Sequence, residues 1–109
     1  MATLREMRSE TLPSRTDPRW FHKETVTDAT SEPVILPSLG REAAVAVSPG
    51  TNAKVQYTLS SYDAIADDTA VWHDWPAGAA TEAAVDSITG AASALRLVST
   101  GTSSWEITV

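Results

Sequence analysis

The side chains that could carry acid–base chemistry near neutral pH are few, since the chain has only two histidines, His22 and His73. Neither lies in a nucleophile motif: there is no G-x-S-x-G, no H-E-x-x-H and no glycine-rich phosphate loop. His73 precedes Asp74, but adjacent residues of a strand point to opposite faces, so their side chains cannot form a catalytic dyad. We therefore expect a protein without catalytic residues.

Three carboxylates, Asp63, Asp67 and Asp68, lie close together in the sequence and could in principle hold Ca²⁺. Their spacing does not match an EF-hand loop, which needs acids at alternate positions followed by glycine. The chain has no cysteine, which excludes thiolate metal sites and disulfides. We interpret the acidic cluster as a solvated loop, and we expect neither a metal nor a cofactor.

Two tryptophans, Trp72 and Trp75, form the third group of interest. If the segment is a strand, Trp75 shares a face with His73, whereas Trp72 shares the other face with Asp74. Indoles on both faces could pack in a core, contact a protein partner, or stack on a sugar ring. The sequence leaves these three interpretations open.

The N-terminal region differs from the rest in charge. Residues 1–23 carry a net charge of +2 and the remainder −8, and such asymmetry is typical of an interaction segment. Because Pro13 and Pro18 interrupt it, we expect at most one or two helical turns within residues 1–12. We predict an extended arm over residues 1–33, the alternative being a solvated terminus.

The predicted arm contains apolar and basic side chains that could dock on a partner. Trp20 and Phe21 are its expected buried anchor, since such a pair is costly to leave in water. The predicted partner-binding residues are Leu4, Met7, Arg15, Arg19, Trp20 and Phe21.

From Thr25 onward, apolar residues recur with period two and are interrupted by Gly, Pro, Asn and Ser. The predicted strands are Thr25–Thr30 (an edge or arm strand), Pro33–Pro37, Ala43–Ser48, Ala53–Ser60, Ala70–Trp75, Thr81–Thr89, Ser93–Ser99 and Ser104–Val109. We expect the third and fourth of these to pair as a hairpin. A helix over Ala77–Ala84 is the main competing prediction, which Gly78 disfavours.

The fold class predicted is all-β: a small β-sandwich or jelly-roll-like domain over residues 34–109, preceded by the extended N-terminal arm. This domain should fold without the arm. Because its core is thin, we expect a homo-dimer or homo-trimer.

Length and composition narrow the function classes. With 109 residues the chain is too short for a two-domain enzyme. Its net charge of −6 argues against nucleic-acid binding, and it has no apolar run long enough to cross a membrane. No secretory signal is visible, so we expect the chain to remain where it is made.

Several runs in the body resemble small structural proteins of tailed bacteriophages, of the capsid decoration or cement type. They are YTLS (57–60), AVWHDWPAG (70–78), ITGAASALRL (88–97) and WEI (105–107). The resemblance implies a virion structural protein at the capsid surface, made in the host cytoplasm, with the major capsid protein as partner. Such proteins share no active site, so the resemblance assigns no functional residues.

Two alternative functions remain. One is a receptor- or glycan-binding domain of a phage tail or fibre that uses Trp72 or Trp75. The other is a small hydrolase with an unfamiliar site.

Overall fold

A computed structural model describes residues 3–10, 19–37, 42–76, 80–88 and 92–109. These residues form two five-stranded, mostly antiparallel sheets that pack face to face, which confirms the predicted all-β sandwich. In spatial order, sheet A contains β1 (Arg5–Glu6), β4 (Val34–Ile35), β9 (Ala94–Thr100), β6 (Asn52–Thr58) and β7 (Trp72–Asp74). In spatial order, sheet B contains β2 (Arg8–Glu10), β3 (Arg19–Thr27), β10 (Thr102–Thr108), β5 (Ala43–Ser48) and β8 (Ala84–Ile88).

The core lies between the sheets and follows from the alternation of apolar residues along the strands. On β5, Val45 and Val47 point inward, and on β10 Trp105 and Ile107 do the same, each at most 3% exposed. Sheet A contributes Val55 and other buried residues from its central strands. Burial of each large side chain contributes about 1.5–3 kcal/mol, so period-two patterning accounts for the choice of inner face.

The described N-terminal residues belong to both sheets, which corrects the prediction of a separate arm over residues 1–33. Strand β3 is not an edge strand: it lies between β2 and β10 and pairs with β10 over seven residues, from Phe21 to Thr27. Strand β1 pairs in parallel with β4, and residues 5–6 and 8–10 form strands instead of helical turns. Without β3, the backbone polar groups along one side of β10 would be unpaired. The boundary at residue 33 therefore separates no structural units.

The predicted hairpin of the third and fourth strands is also wrong. Strand β5 lies in sheet B and β6 in sheet A, so the turn between them crosses from one sheet to the other. The turn between β9 and β10 makes the same crossing in the opposite direction. Turn chemistry indicates a reversal of the chain, but it does not specify whether the next strand pairs with the previous one or packs across from it.

The two crossing turns contact each other at Gly50 and Gly101. A Cβ on Gly50 would lie 2.6 Å from the backbone nitrogen of Thr102, and Gly101 has a φ of +78°. The backbone nitrogen of Thr51 donates a 2.9 Å hydrogen bond to the carbonyl of Thr100. Both positions therefore require glycine, one for space and the other for conformation.

Buried hydroxyls complete this corner. Ser99 Oγ lies 2.7 Å from Ser103 Oγ and donates to the carbonyl of Gly101 at 2.8 Å. Ser103 Oγ accepts from the backbone nitrogen of Gly50 at 2.9 Å. These bonds satisfy two serines that are each at most 5% exposed, and they tie both turns together.

A short helix, α1 (Tyr62–Ala66), follows β6. Ser61 is its N-cap, because its side chain accepts a hydrogen bond from the backbone nitrogen of Ala64. The predicted strands of residues 70–75 and 81–89 are shorter than expected, since β7 and β8 have three and five residues. No helix in the described ranges has the length and apolar character needed to cross a membrane.

Candidate functional site

The predicted anchor pair, Trp20 and Phe21, is split between the two faces of β3. Trp20 points toward the core, whereas Phe21 shares the outer face with Arg8, its cross-strand partner on β2. Adjacent residues of a strand cannot form one anchor, because successive side chains point to opposite sides. This corrects the expectation of a joint Trp20–Phe21 anchor.

The inward half of the predicted docking set contributes to the fold. Met7 is 5% exposed and lies where the chain passes from β1 in sheet A to β2 in sheet B. Trp20 packs against the core, and both residues line a largely apolar cavity of about 250 Å³. Leu4 is half-buried, and Arg15 lies outside the described residues. Burial accordingly removes Met7 and most of Trp20 from a docking surface.

The outward half of the predicted docking set, Arg19 and Phe21, lines a shallow groove of about 270 Å³ on sheet B. Arg19 donates a 3.2 Å hydrogen bond from Nη2 to Thr108 Oγ1. Lys23 Nζ lies 3.3 Å from Glu106 Oε1, and both side chains are more than half exposed. We define the hairpin patch as Arg8, Arg19, Phe21 and Lys23. It combines a half-buried aromatic ring with three cations.

The two tryptophans predicted as a glycan site also separate. Trp75 packs against the core, whereas Trp72 lies on the outer face of sheet A. The alternation predicted that the two indoles face opposite ways, and the structure identifies Trp72 as the outward one. Of the two residues predicted for the alternative glycan site, only Trp72 is therefore placed on the outer face of sheet A.

Trp72 is accompanied by polar side chains from two other strands. The guanidinium carbon of Arg96 lies 4.2 Å from the centre of the indole ring, within the range of a cation–π contact. Arg96 Nε donates to Gln56 Oε1 at 2.7 Å, and Gln56 Nε2 donates to Asp74 Oδ1 at 2.8 Å. Lys54 Nζ lies 3.4 Å from Asp74 Oδ1. We call these five residues the sheet A platform.

The electrostatics of this platform follow from its hydrogen bonds. The pKa of Asp74 is lowered, first because Gln56 donates a hydrogen bond to its carboxylate and then because Lys54 does so. Burial lowers the pKa of the Arg96 guanidinium, and the negative charge of Asp68 partly offsets that effect. The hydrogen bonds from Gln56 and Lys54 therefore favour the carboxylate form of Asp74.

Sequence reasoning missed Arg96, Gln56 and Lys54, because nothing in their local sequence links them to Trp72. Gln56 is the cross-strand partner of both Asp74 on β7 and Arg96 on β9, so the three side chains form one row across the sheet. Only the strand register could have revealed this row.

His22 occupies an unexpected position inside the sandwich. Its Nε2 lies 3.0 Å from Glu24 Oε1, and its ring meets that of Trp105 edge-on at 6.0 Å. Trp105 Nε1 also donates to Glu24 Oε1 at 3.0 Å. A carboxylate that bonds to an imidazole and an indole is a satisfied polar group of the interior, and no nucleophile is present among these contacts.

The other groups considered for chemistry are dispersed. His73 is exposed, with its ring 5.4 Å from that of Tyr57, while Asp74 points to the opposite face. Asp63 lies in the first turn of α1, and Asp67 caps its C-terminus. In the ranges that the structure describes, no three His, Asp or Glu side chains are grouped as metal ligands would be.

Comparison with known proteins does not assign the chain to a family. No family model matches it, and neither a curated protein nor a solved structure gives a significant match. The fold defines an all-β sandwich, and the two surfaces described above are the basis for any proposal on function.

Proposed function

We propose that the protein is a non-enzymatic structural protein of a bacteriophage virion, which binds the major capsid protein at the capsid surface as a decoration or cement protein. The proposal rests on the sequence resemblance given above and on one structural observation. That observation is the hairpin patch, where three of the eight basic residues of an acidic protein lie on the same face as the half-buried Phe21, with Glu106 paired to Lys23.

The chemistry of the hairpin patch suits a protein partner. An aromatic ring surrounded by cations can bury apolar surface at its centre while its rim pairs with carboxylates of the partner. Phe21 should contribute more than any single cation, because truncation of a buried anchor costs at least about 2 kcal/mol, whereas exposed ion pairs contribute about 0–1 kcal/mol.

The sheet edges favour docking through a face over docking by strand addition. The edge strands β1, β2 and β7 have only two or three residues, and β8 has five. Asp86 on β8 lies opposite the buried Val45, so a charge sits on the inward-facing side of that edge. Short edges with charges oppose the pairing of strands between molecules. The face of β2 and β3 is the better candidate for the contact with the capsid.

Many copies acting together would stabilise a shell even if each bound weakly, because the avidity of linked contacts exceeds the affinity of a single contact. The expected oligomer, a dimer or trimer, remains part of the proposal, and analytical ultracentrifugation of the purified chain measures it directly.

Binding to particles that lack the protein tests the proposal. The full chain, its Phe21→Ala variant and a matched Val85→Ala variant would be co-sedimented with such particles. Val85 is 76% exposed on the same face of sheet B, at the edge away from the patch. We expect Phe21→Ala to lose binding and Val85→Ala to bind as well as the wild-type chain. Equal binding by all three would overturn the assignment of the patch.

Quantitative mass spectrometry of purified particles tests the location. A copy number that scales with the major capsid protein supports a place on the shell. A few copies per particle would instead support the alternative, a receptor- or glycan-binding domain of a tail or fibre.

A further inference from the structure

The outer face of sheet A, on the side of the sandwich opposite the hairpin patch, carries a second arrangement that docking on a capsid does not use. The sheet A platform places a partly exposed indole beside a row of planar polar groups. The row runs across three strands from Asp74 through Gln56 to Arg96, and each neighbour is bonded to the next.

The charges at and next to the platform balance one another. Arg96 and Lys54 are opposed by Asp74, which lies beside Lys54, and by Asp68, whose charge acts on Arg96. A balanced surface gives no net attraction to an anion such as phosphate, nor to a cation. Its ligand is therefore expected to be neutral.

The remaining chemistry is an apolar ring next to an amide, a carboxylate and a guanidinium. The Arg96 guanidinium covers one face of the partly exposed Trp72 ring, so a flat group with C–H bonds would contact the other face. Asp74, whose side chain is 63% exposed, accepts hydrogen bonds from hydroxyl groups, and Gln56 both donates and accepts. A neutral ligand that is apolar on its flat faces and carries hydroxyls around its rim is a pyranose sugar.

The side chains of the platform also contact one another in the absence of a ligand. Arg96 packs on the Trp72 ring and simultaneously bonds to Gln56, which fixes both partners. Side chains that are already ordered lose less conformational entropy on binding, and this raises affinity for a given set of contacts.

We propose that the sheet A platform binds a neutral saccharide, with Trp72 against the flat face of a pyranose ring and with Asp74 and Gln56 bonded to its hydroxyls. This site requires Trp72 and not Trp75. It does not depend on the proposed role in the virion, and it can be tested on the isolated chain.

Affinity electrophoresis of the full chain through gels that contain dextran, galactomannan or hydroxyethylcellulose tests the site. We expect at least one of these polysaccharides to retard the wild-type chain. In Trp72→Ala the affinity should fall about tenfold, because the variant lacks the ring on which the sugar would pack. Asp74→Ala should weaken binding while leaving the indole in place.

Val85→Ala is the matched control, because it shortens an exposed apolar side chain on the other sheet. Far-ultraviolet circular dichroism of each variant confirms that it is folded. No retardation of the wild type by any of the three polysaccharides, or equal retardation of wild type and both platform variants, would overturn the proposal.

Discussion

The indole nitrogen of Trp105 donates a 3.0 Å hydrogen bond to Glu24 Oε1 inside the sandwich. The two residues are cross-strand partners on β10 and β3. Strand β3 therefore supplies the hydrogen-bond acceptor for Trp105, which is the largest fully buried side chain of the described core.

Glu24→Ala should destabilise the protein by about 1–3 kcal/mol, because it leaves a buried indole N–H without an acceptor. Glu24→Gln retains an acceptor and should cost less. Urea denaturation followed by tryptophan fluorescence measures both. Glu106→Ala is the control: Glu106 is exposed on β10 in a surface ion pair, so its loss should change stability by no more than about 1 kcal/mol. Equal effects of Glu24→Ala and Glu106→Ala would contradict the structural role of Glu24.

Deletion of residues 1–24 should abolish cooperative folding of the remaining chain. The deletion removes most of β3 and leaves one side of β10 without its hydrogen-bonding partner. Thermal denaturation followed by circular dichroism would show whether a cooperative transition survives. A truncated chain with a β-type spectrum and a sharp transition would restore the view that residues 1–24 are an independent arm.

Gly101→Ala should destabilise the protein by about 1–2 kcal/mol, because an L-residue at positive φ places its Cβ near the following carbonyl oxygen. Gly50→Ala should be at least as costly, since its Cβ would collide with the backbone at Thr102 instead of with a side chain that can move. Thr100→Ala, at an exposed position of the same corner, serves as the control and should stay within about 0.5 kcal/mol. Equal midpoints of chemical denaturation for all three variants would refute the glycine requirement.

Gln56→Ala should raise the pKa of Asp74 toward its ordinary value, because the largest cause of the lowered pKa is the hydrogen bond from Gln56. The pKa of this carboxyl is lower in the folded state than in the unfolded state. Its contribution to stability is therefore present above the unfolded-state pKa and is lost as the pH falls through the folded-state pKa. Carbon-13 NMR titration of the Asp74 carboxyl reports the shift. An unchanged pKa in Gln56→Ala would show that Gln56 is not the cause.

The sequence predicted the strands that alternate clearly. The prediction for β5, Ala43–Ser48, coincides with the structure, and those for the three other long strands of the body differ by one to two residues at each end. Strand β3 was predicted to begin only at Thr25, because His22 and Glu24 occupy inward positions where apolar residues would have marked a strand. Their mutual hydrogen bond allows polar residues there, but hydrogen-bond partners cannot be read from spacing.

The candidate sites were predicted less well than the strands. Alternation placed Trp72 and Trp75 on opposite faces, which the structure confirms, but it did not indicate which face is buried. It should equally have separated Trp20 from Phe21, once residues 19–27 were recognised as a strand. Arg96 lies 24 positions after Trp72 in the sequence, and only the register of β9, β6 and β7 brings them together.

Because β3 pairs with β10, β3 cannot complete its sheet until β10 has been synthesised. Thr27 and Thr102 hydrogen-bond through their side chains across 75 positions of the chain. At about 5–20 residues per second, β10 leaves the ribosome on the order of 4 to 15 s after β3. During that interval β3, which carries Trp20 and Val26, lacks β10, its pairing partner in sheet B. A strand with such an unpaired edge is a target for chaperones and for aggregation. Strand β10, about 75 positions further along the chain, is the segment that ends this exposure.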